Sequence, residues 1–261
     1  MTTYELPPDL EAALAGVASV GVITGAGISA ESGIPTYRGA GGIYDDPVEG
    51  DRTVEALTGA TLHRDPDRTW RAVAALARHS IAARPNAAHE ALVRIEDSVA
   101  SFVLLTQNVD GLHTDAGTRS LIDIHGDVLA TRCTRCDARG RLTRDDVVAL
   151  EHTPACSCGG GLRPDAVLFG ERLPQRKVFR MQEAFYRRTP DLVLVVGTSA
   201  MFPYIGEPVV HAAREGKLTV EVNPEPTELS PVVAYALREP AGVVLPRMAA
   251  VLEASRRPGL S

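Results

Sequence analysis

All four cysteines of this 261-residue chain fall between Cys133 and Cys158. They form two close pairs: Cys133-Thr-Arg-Cys136, then 19 residues, then Cys156-Ser-Cys158. Two such pairs about 15–20 residues apart have the spacing of a zinc ribbon, in which each pair supplies two thiolates to a tetrahedral ion. Two disulfides or four unrelated core thiols are the competing arrangements, but scattered core cysteines would not crowd into a tenth of the chain. The N-terminal stretch carries acidic residues and no positive region ahead of its first apolar run, so it does not read as a secretory signal. A reducing, cytoplasmic compartment is therefore expected, where thiols stay free to bind metal. Cys133, Cys136, Cys156 and Cys158 are assigned to one closed, structural zinc ion.

The rest of the chain alternates strand and helix patterns. Residues 17–24 (VASVGVIT), 102–106 (FVLLT), 191–196 (DLVLVV) and 218–222 (LTVEV) are short β-rich runs bounded by turn or polar residues. Residues 242–245 read as a last strand before a terminal helix around 248–254. Between them, Ala88, Ala91, Leu92 and Ile95 recur at helical spacing within 87–97. Such alternation implies an α/β fold: a Rossmann-like, mainly parallel sheet with helices on both faces. Two stretches break it, a loop-then-helix insertion over 39–85 and the zinc-binding insertion over 127–172. The Rossmann-like part is expected to comprise 10–38, 86–126 and 173–261, all within one catalytic domain. No apolar run approaches the roughly 20 residues of a membrane span.

A net charge of -6 repels nucleic acid. Arg132, Arg135, Arg139, Arg141 and Arg144 form a basic cluster that would suit a nucleic-acid-binding ribbon. Asp137, Asp145 and Asp146 interrupt it, and we read it as a solvated face of the zinc module. Neither nucleic acid nor membrane is an expected partner.

The residues just past each strand carry the chemistry. After the first strand come Gly25-Ala26-Gly27-Ile-Ser29, after the second Gln107-Asn108-Val109-Asp110. After the third come Gly197-Thr198-Ser199, and after the fourth Asn223-Pro224-Glu225. In an open parallel sheet the ligand crevice lies beyond the carboxyl ends of the strands, so these four motifs converge. Gly25 and Gly27 would let backbone N–H groups approach phosphates at a helix N-terminus. The dehydrogenase fingerprint also asks for a third glycine and an acidic residue closing the second strand. Position 30 is Ala30, and Asp45 and Asp46 have no strand before them. A dinucleotide is expected, but not hydride transfer.

In these motifs, together with residues 25–38 as a whole, Thr106 through His113, His125-Gly126 and the four cysteines, the chain resembles the sirtuins, from about residue 17 to 245. The resemblance implies NAD-dependent removal of acyl groups from lysines of proteins or peptides. It places Gly25, Ala26, Gly27, Arg38, Gly197, Thr198, Ser199, Asn223, Pro224, Glu225 and Ala241 on NAD, with Tyr37 near the nicotinamide ribose. Gln107, Asn108, Val109 and Asp110 would line the nicotinamide pocket; His125, with Asn108 and Asp110, would be catalytic. Val167 and Phe169 match the segment where a substrate peptide adds as a strand. In the family's chemistry the acyl oxygen attacks C1′ of the ribose and nicotinamide leaves. A histidine takes a proton from a ribose hydroxyl, whose oxygen attacks the imidate carbon, and collapse with water breaks the C–N bond to give O-acyl-ADP-ribose and lysine. By residue type alone, His89 and His113 are as eligible as His125.

The stretch from Arg38 to Gly42 is similar to a subgroup with a roomier acyl pocket, which often removes succinyl groups. That subgroup reads the succinyl carboxylate with a Tyr-x-x-Arg pair after a tryptophan. Counted from Trp70, those places hold Val73 and Leu76, and an aliphatic wall cannot pair a carboxylate. Acetyl or a longer apolar acyl chain is therefore expected over succinyl, with Arg71 or Arg78 as carboxylate readers if the register shifts by a turn. ADP-ribose transfer to protein on the same scaffold is the alternative activity.

Overall fold

Residues 192–196 contain no polar side chain, so a strand built from them must be covered on both faces. In the computed structural model, which describes residues 4–36 and 46–255, that run is a central strand. The strands are β1 (Ser19–Thr24), β2 (Ser101–Thr106), β3 (Leu121–Asp123), β4 (Gly126–Cys133), β5 (Arg139–Arg141), β6 (Leu162–Ala166), β7 (Leu192–Val196), β8 (Leu218–Val222) and β9 (Tyr235–Leu237). Six form one sheet in the order β3-β2-β1-β7-β8-β9, parallel throughout. The helices are α1 (Pro8–Leu14), α2 (Pro47–Ala56), α3 (Gly59–Arg64), α4 (Pro66–Ser80), α5 (Ala87–Ser98), α6 (Leu112–Ala116), α7 (Arg144–Val148), α8 (Gln175–Gln182), α9 (Pro203–Arg214) and α10 (Ala241–Ser255).

Alternate side chains of a strand point to opposite faces, and β7 shows both destinations. Leu192, Leu194 and Val196 join an apolar cluster with α1, α5 and α10, while Val193 and Val195 join another with α8 and α9. α5 begins where Asn86 accepts hydrogen bonds from the N–H groups of Ala88 (2.9 Å) and His89 (3.4 Å). That side chain satisfies two otherwise orphaned donors.

The expected strand over 242–245 is instead the opening of α10, and the last strand is β9, just ahead of that helix. Two β-branched residues and a leucine ahead of Pro246 imitate a strand, because a residue before proline favours extended backbone. The longer pattern decides otherwise. Val244, Leu245, Met248, Ala249 and Leu252 are buried at helical spacing, and Glu31 accepts the N–H of Gly242 at 2.7 Å.

β5-β4-β6 is a small antiparallel sheet. Its apolar core joins Leu129 and Val147 to Trp70, Val73 and Ala77 of α4. The Trp70 indole donates to the Leu162 carbonyl at 2.8 Å, tying α4 to β6.

Candidate active site

The motifs after β1, β2, β7 and β8 meet around Thr198. Gln107 donates its amide to the Thr198 hydroxyl (2.9 Å), Asn223 reaches the Thr198 carbonyl (3.4 Å), and the Gly197 N–H bonds the Val222 carbonyl (3.0 Å). The glycines also have a packing task. The Gly25 N–H is spent on the Val196 carbonyl (3.1 Å) and the Gly27 N–H on the Gly197 carbonyl (2.8 Å). A Cβ on Gly27 would stand 2.7 Å from Gly197 Cα, and one on Gly25 2.5 Å from Thr198 Cβ. Both glycines thus admit a second strand-end loop, and their N–H groups bond main-chain carbonyls of that loop and of β7. In place of an α-helix start, residues 26–32 form a 3-10 helix that ends at Gly33. The Ser199 hydroxyl beside them is exposed and without a protein partner among the described residues.

Ala26 is half-buried beside these contacts. Pro224 and Glu225 are exposed in the loop after β8, where the Glu225 carbonyl accepts from Arg238 at 3.2 Å. Ala241 is buried at the start of α10. Tyr37 and Arg38 lie outside the described residues.

Asn108 is held from both sides. Its amide donates to the Gly25 carbonyl (3.0 Å) and the Ser29 hydroxyl (3.3 Å), and its N–H to the Thr106 hydroxyl (3.1 Å). Ser29 in turn donates to Asp110 at 2.7 Å, and Asp110 also accepts the Leu112 N–H at 2.9 Å. Loss of hydration raises the Asp110 carboxyl above its ordinary value. Val109 is half-buried and gives its carbonyl to the Val128 N–H at 3.2 Å. Ser29 belongs to the first motif, but only the fold shows that it couples Asn108 to Asp110.

Burial separates the three eligible histidines. His89 and His113 are inside the protein, their rings 4.8 Å apart, and desolvation lowers them to about 4 and about 3. Thr24 donates to the Thr106 hydroxyl (2.8 Å) and meets Nε2 of His113 (3.0 Å), so the pair braces the polypeptide beneath Asn108. His125 is only half-buried and sits directly before β4. The turn there demands glycine: Gly126 has φ +84, and a Cβ would fall 2.1 Å from the Asp165 carbonyl oxygen. His125 Nδ1 lies 2.9 Å from the Gln107 carbonyl and Nε2 2.8 Å from the Tyr204 hydroxyl. Burial pushes this imidazole below its ordinary value, so it is neutral at pH 7. Tyr204 lies outside every sequence motif, and sequence reasoning misses it.

The Val167 N–H bonds the His125 carbonyl at 2.8 Å. Phe169 uses its N–H on the Leu57 carbonyl (2.9 Å) and its carbonyl on the Gly59 N–H (3.1 Å). An added strand therefore cannot pair with these groups. Phe169 instead presents its exposed ring, as do Met201 and Phe202 their side chains on the other loop. Glu171 locks the segment, accepting from Arg163 (2.6 and 2.8 Å) and from the Leu168 N–H (3.0 Å). Val73 is buried against Trp70 and Leu76 half-buried. Arg71 and Arg78 line a separate surface cavity of about 320 Å³ with Leu150, Glu151 and His152.

The four cysteine sulfurs lie within 4.8 Å of one another, with Cys133 to Cys158 at 3.5 Å and Cys136 to Cys156 at 3.8 Å. Zn–S bonds of about 2.3 Å in a tetrahedron place sulfurs about 3.8 Å apart, so the set fits zinc closely. Main-chain N–H groups of Arg135 (3.3 Å) and Gly160 (3.4 Å) point at Cys133 and Cys158, and the latter, together with the neighbouring thiols, lowers the Cys158 thiol below its ordinary value. The surrounding arginines are paired: Arg132 and Arg139 with Asp165, Arg141 with Asp127, and Arg144 with Asp115. Among the described residues, only Arg135 of that cluster lacks a carboxylate.

Residues 25–202 match the model of the Sir2 family. The chain is 42% identical over 230 residues to the NAD-dependent protein deacylase 2 of Pseudomonas aeruginosa, covering 87% of this chain and 90% of that one. It superposes on a Sir2 homologue solved in complex with NAD with a TM-score of 0.84 at 32% identity, covering 98% of each chain. A Sir2 structure with a p53 peptide and NAD+ matches with a TM-score of 0.77 at 26% identity, over 94% of this chain and 98% of that one. By these matches, and by a site assembled from the same strand-end motifs, the chain belongs to the Sir2 family.

Proposed function

We propose that the protein is an NAD-dependent protein-lysine deacylase with one structural zinc ion, acting in the cytoplasm. The observation that carries the reading is His125: a neutral imidazole, held by the Gln107 carbonyl, at the junction of the strand-end loops and the 167–171 segment. NAD supplies the C1′ carbon that exchanges nicotinamide for the acyl oxygen. The loops 25–29 and 197–199, with Asn223, hold its ADP-ribose part. Asn108 and Asp110, fixed through Ser29, orient the nicotinamide end, and His125 takes the proton from a ribose hydroxyl. The acyl-lysine peptide lies between the exposed rings of Phe169 and Phe202.

Acetyl and longer apolar acyl groups are preferred over succinyl. Val73 and Leu76 offer no charge, and Arg71 and Arg78 face a different cavity. Among the described residues, no helix is long and apolar enough to cross a membrane.

The test is a panel of acetyl-, butyryl- and succinyl-lysine peptides, with and without NAD, on the wild type and on His125→Ala. Turnover should require NAD, favour the apolar acyl groups and be lost in the variant. Activity that survives without NAD would sink the assignment, and dominant succinyl turnover would overturn the apolar pocket.

A further inference from the structure

Tyr204 stands in the first turn of α9, just after Pro203. Its hydroxyl is 2.8 Å from Nε2 of His125. Its ring stacks on Phe202 at 5.5 Å and 16°, and both rings meet the imidazole edge-on, at 6.1 Å and 85° for Tyr204 and 6.2 Å and 83° for Phe202. The proton positions are set by the partners. A main-chain carbonyl only accepts, so Nδ1 must carry the hydrogen that points to Gln107. In the neutral ring Nε2 then holds a bare lone pair, and Tyr204 is the donor to it.

We propose that Tyr204 is a positioning residue that caps the proton-accepting nitrogen of His125 in the ligand-free enzyme, and that the ribose hydroxyl of NAD must displace it. The proposal rests on His125 being the base. Displacement is balanced in protons. The ribose O–H proton passes to Nε2, Nδ1 keeps its hydrogen on Gln107, and the resulting imidazolium later loses the Nε2 proton to solvent. Burial raises the Tyr204 phenol above its ordinary value, so it remains protonated while it waits.

The hydrogen bond also sets basicity. A donor to Nε2 stabilises the neutral ring, so it works in the same direction as burial, and removing it makes His125 more basic. The charge of Lys177 of α8 also lowers His125, and Lys177 pairs with Asp123 of β3 at 2.8 Å. Among the described residues, neither has a hydrogen bond or ion pair with Tyr204.

Tyr204→Phe keeps the ring stack and deletes only the hydroxyl. In the ligand-free variant, NMR titration of His125 should move up by about half to one pH unit, the worth of one hydrogen bond. The acid limb of kcat/KM for NAD should move up equally, and KM for NAD should fall a few-fold because nothing has to be displaced. If both the titration and the acid limb stay where they are, the proposal is overturned. Nitrogen-15 shifts of the wild-type imidazole need no variant: a bare Nε2 is expected, and a protonated Nε2 in the neutral ring would overturn it. If the wild type failed to deacylate with NAD, the proposed function would fall. The ligand-free titration would still decide the Tyr204 bond.

Discussion

Arg144 of α7 donates to the main-chain carbonyl of Asp110 at 3.1 Å while its guanidinium pairs with Asp115 at 2.6 Å. One side chain of the zinc module thus grips the loop that carries Asn108 and Asp110, the residues proposed to orient the nicotinamide end of NAD. Its own side chain is only 20% exposed, so this pair is screened less than a surface bridge. Arg144→Ala should lower kcat/KM about tenfold, as expected for losing one hydrogen bond to a charged group, and leave bound zinc unchanged. Steady-state kinetics beside a zinc assay checks this, and unaltered kinetics would show that the grip has no catalytic consequence.

Zinc itself should be needed for activity at one remove. The antiparallel sheet has only three strands, one of them three residues long, and its apolar core is small. A core of that size is marginal without a metal staple. Cys136→Ser, or prolonged chelation, should release one equivalent of zinc and abolish deacylation. The parallel sheet should persist, read as retained helical circular dichroism. Full activity in a demonstrably zinc-free protein would contradict the structural role.

The buried histidines give folding stability a pH dependence of known sign. His89 and His113 have folded values of about 4 and about 3, below the ordinary 6.5 of the unfolded chain. The unfolded state therefore binds protons first, so stability is complete above about pH 6.5 and falls as pH drops towards 4. Two such groups cost on the order of 3 kcal/mol between pH 6.5 and pH 5. His125, also lowered, adds in the same direction. Urea midpoints should fall over that interval, and His113→Gln should remove a sizeable part of the fall. A midpoint that does not change with pH would show that these rings are not buried neutral.

The same burial explains which features are legible in the residues and which are not. β7 is legible because residues 192–196 leave no polar side to expose, and β8 because turn residues bound it. β3 and β9, at three residues each, are too short for a period to register, and they exist because a neighbouring strand edge recruits them. Within the site, the polar residues after the central strands are visible because strand ends of parallel sheets gather ligands. The choice among His89, His113 and His125 is not legible from residue type, since it turns on which ring the packing leaves open. Tyr204 carries no signal at all. No strand runs directly into it, and only the chain path through Phe202 and Pro203 brings it to His125.

The contact between Gly27 and Gly197 allows the last prediction. Their loops touch backbone to backbone, and Gly197 holds φ +57, where a Cβ would stand only 2.4 Å from the Ile28 nitrogen. A methyl group on Gly27 would press on main chain, which cannot step aside as a flexible side chain can. Gly27→Ala should therefore cost about 1–3 kcal/mol, the usual range for overpacking. That corresponds to a melting temperature lower by about 3–10 °C for a chain of this size. Because the loops must part to accept the methyl group, NAD affinity should fall as well. Gly16→Ala is the matched control, since a Cβ there meets nothing within 4 Å. Calorimetry on the two variants, with NAD titrated into each, separates the outcomes. Equal melting temperatures would mean that the loops yield freely, and that the glycines serve NAD more than each other.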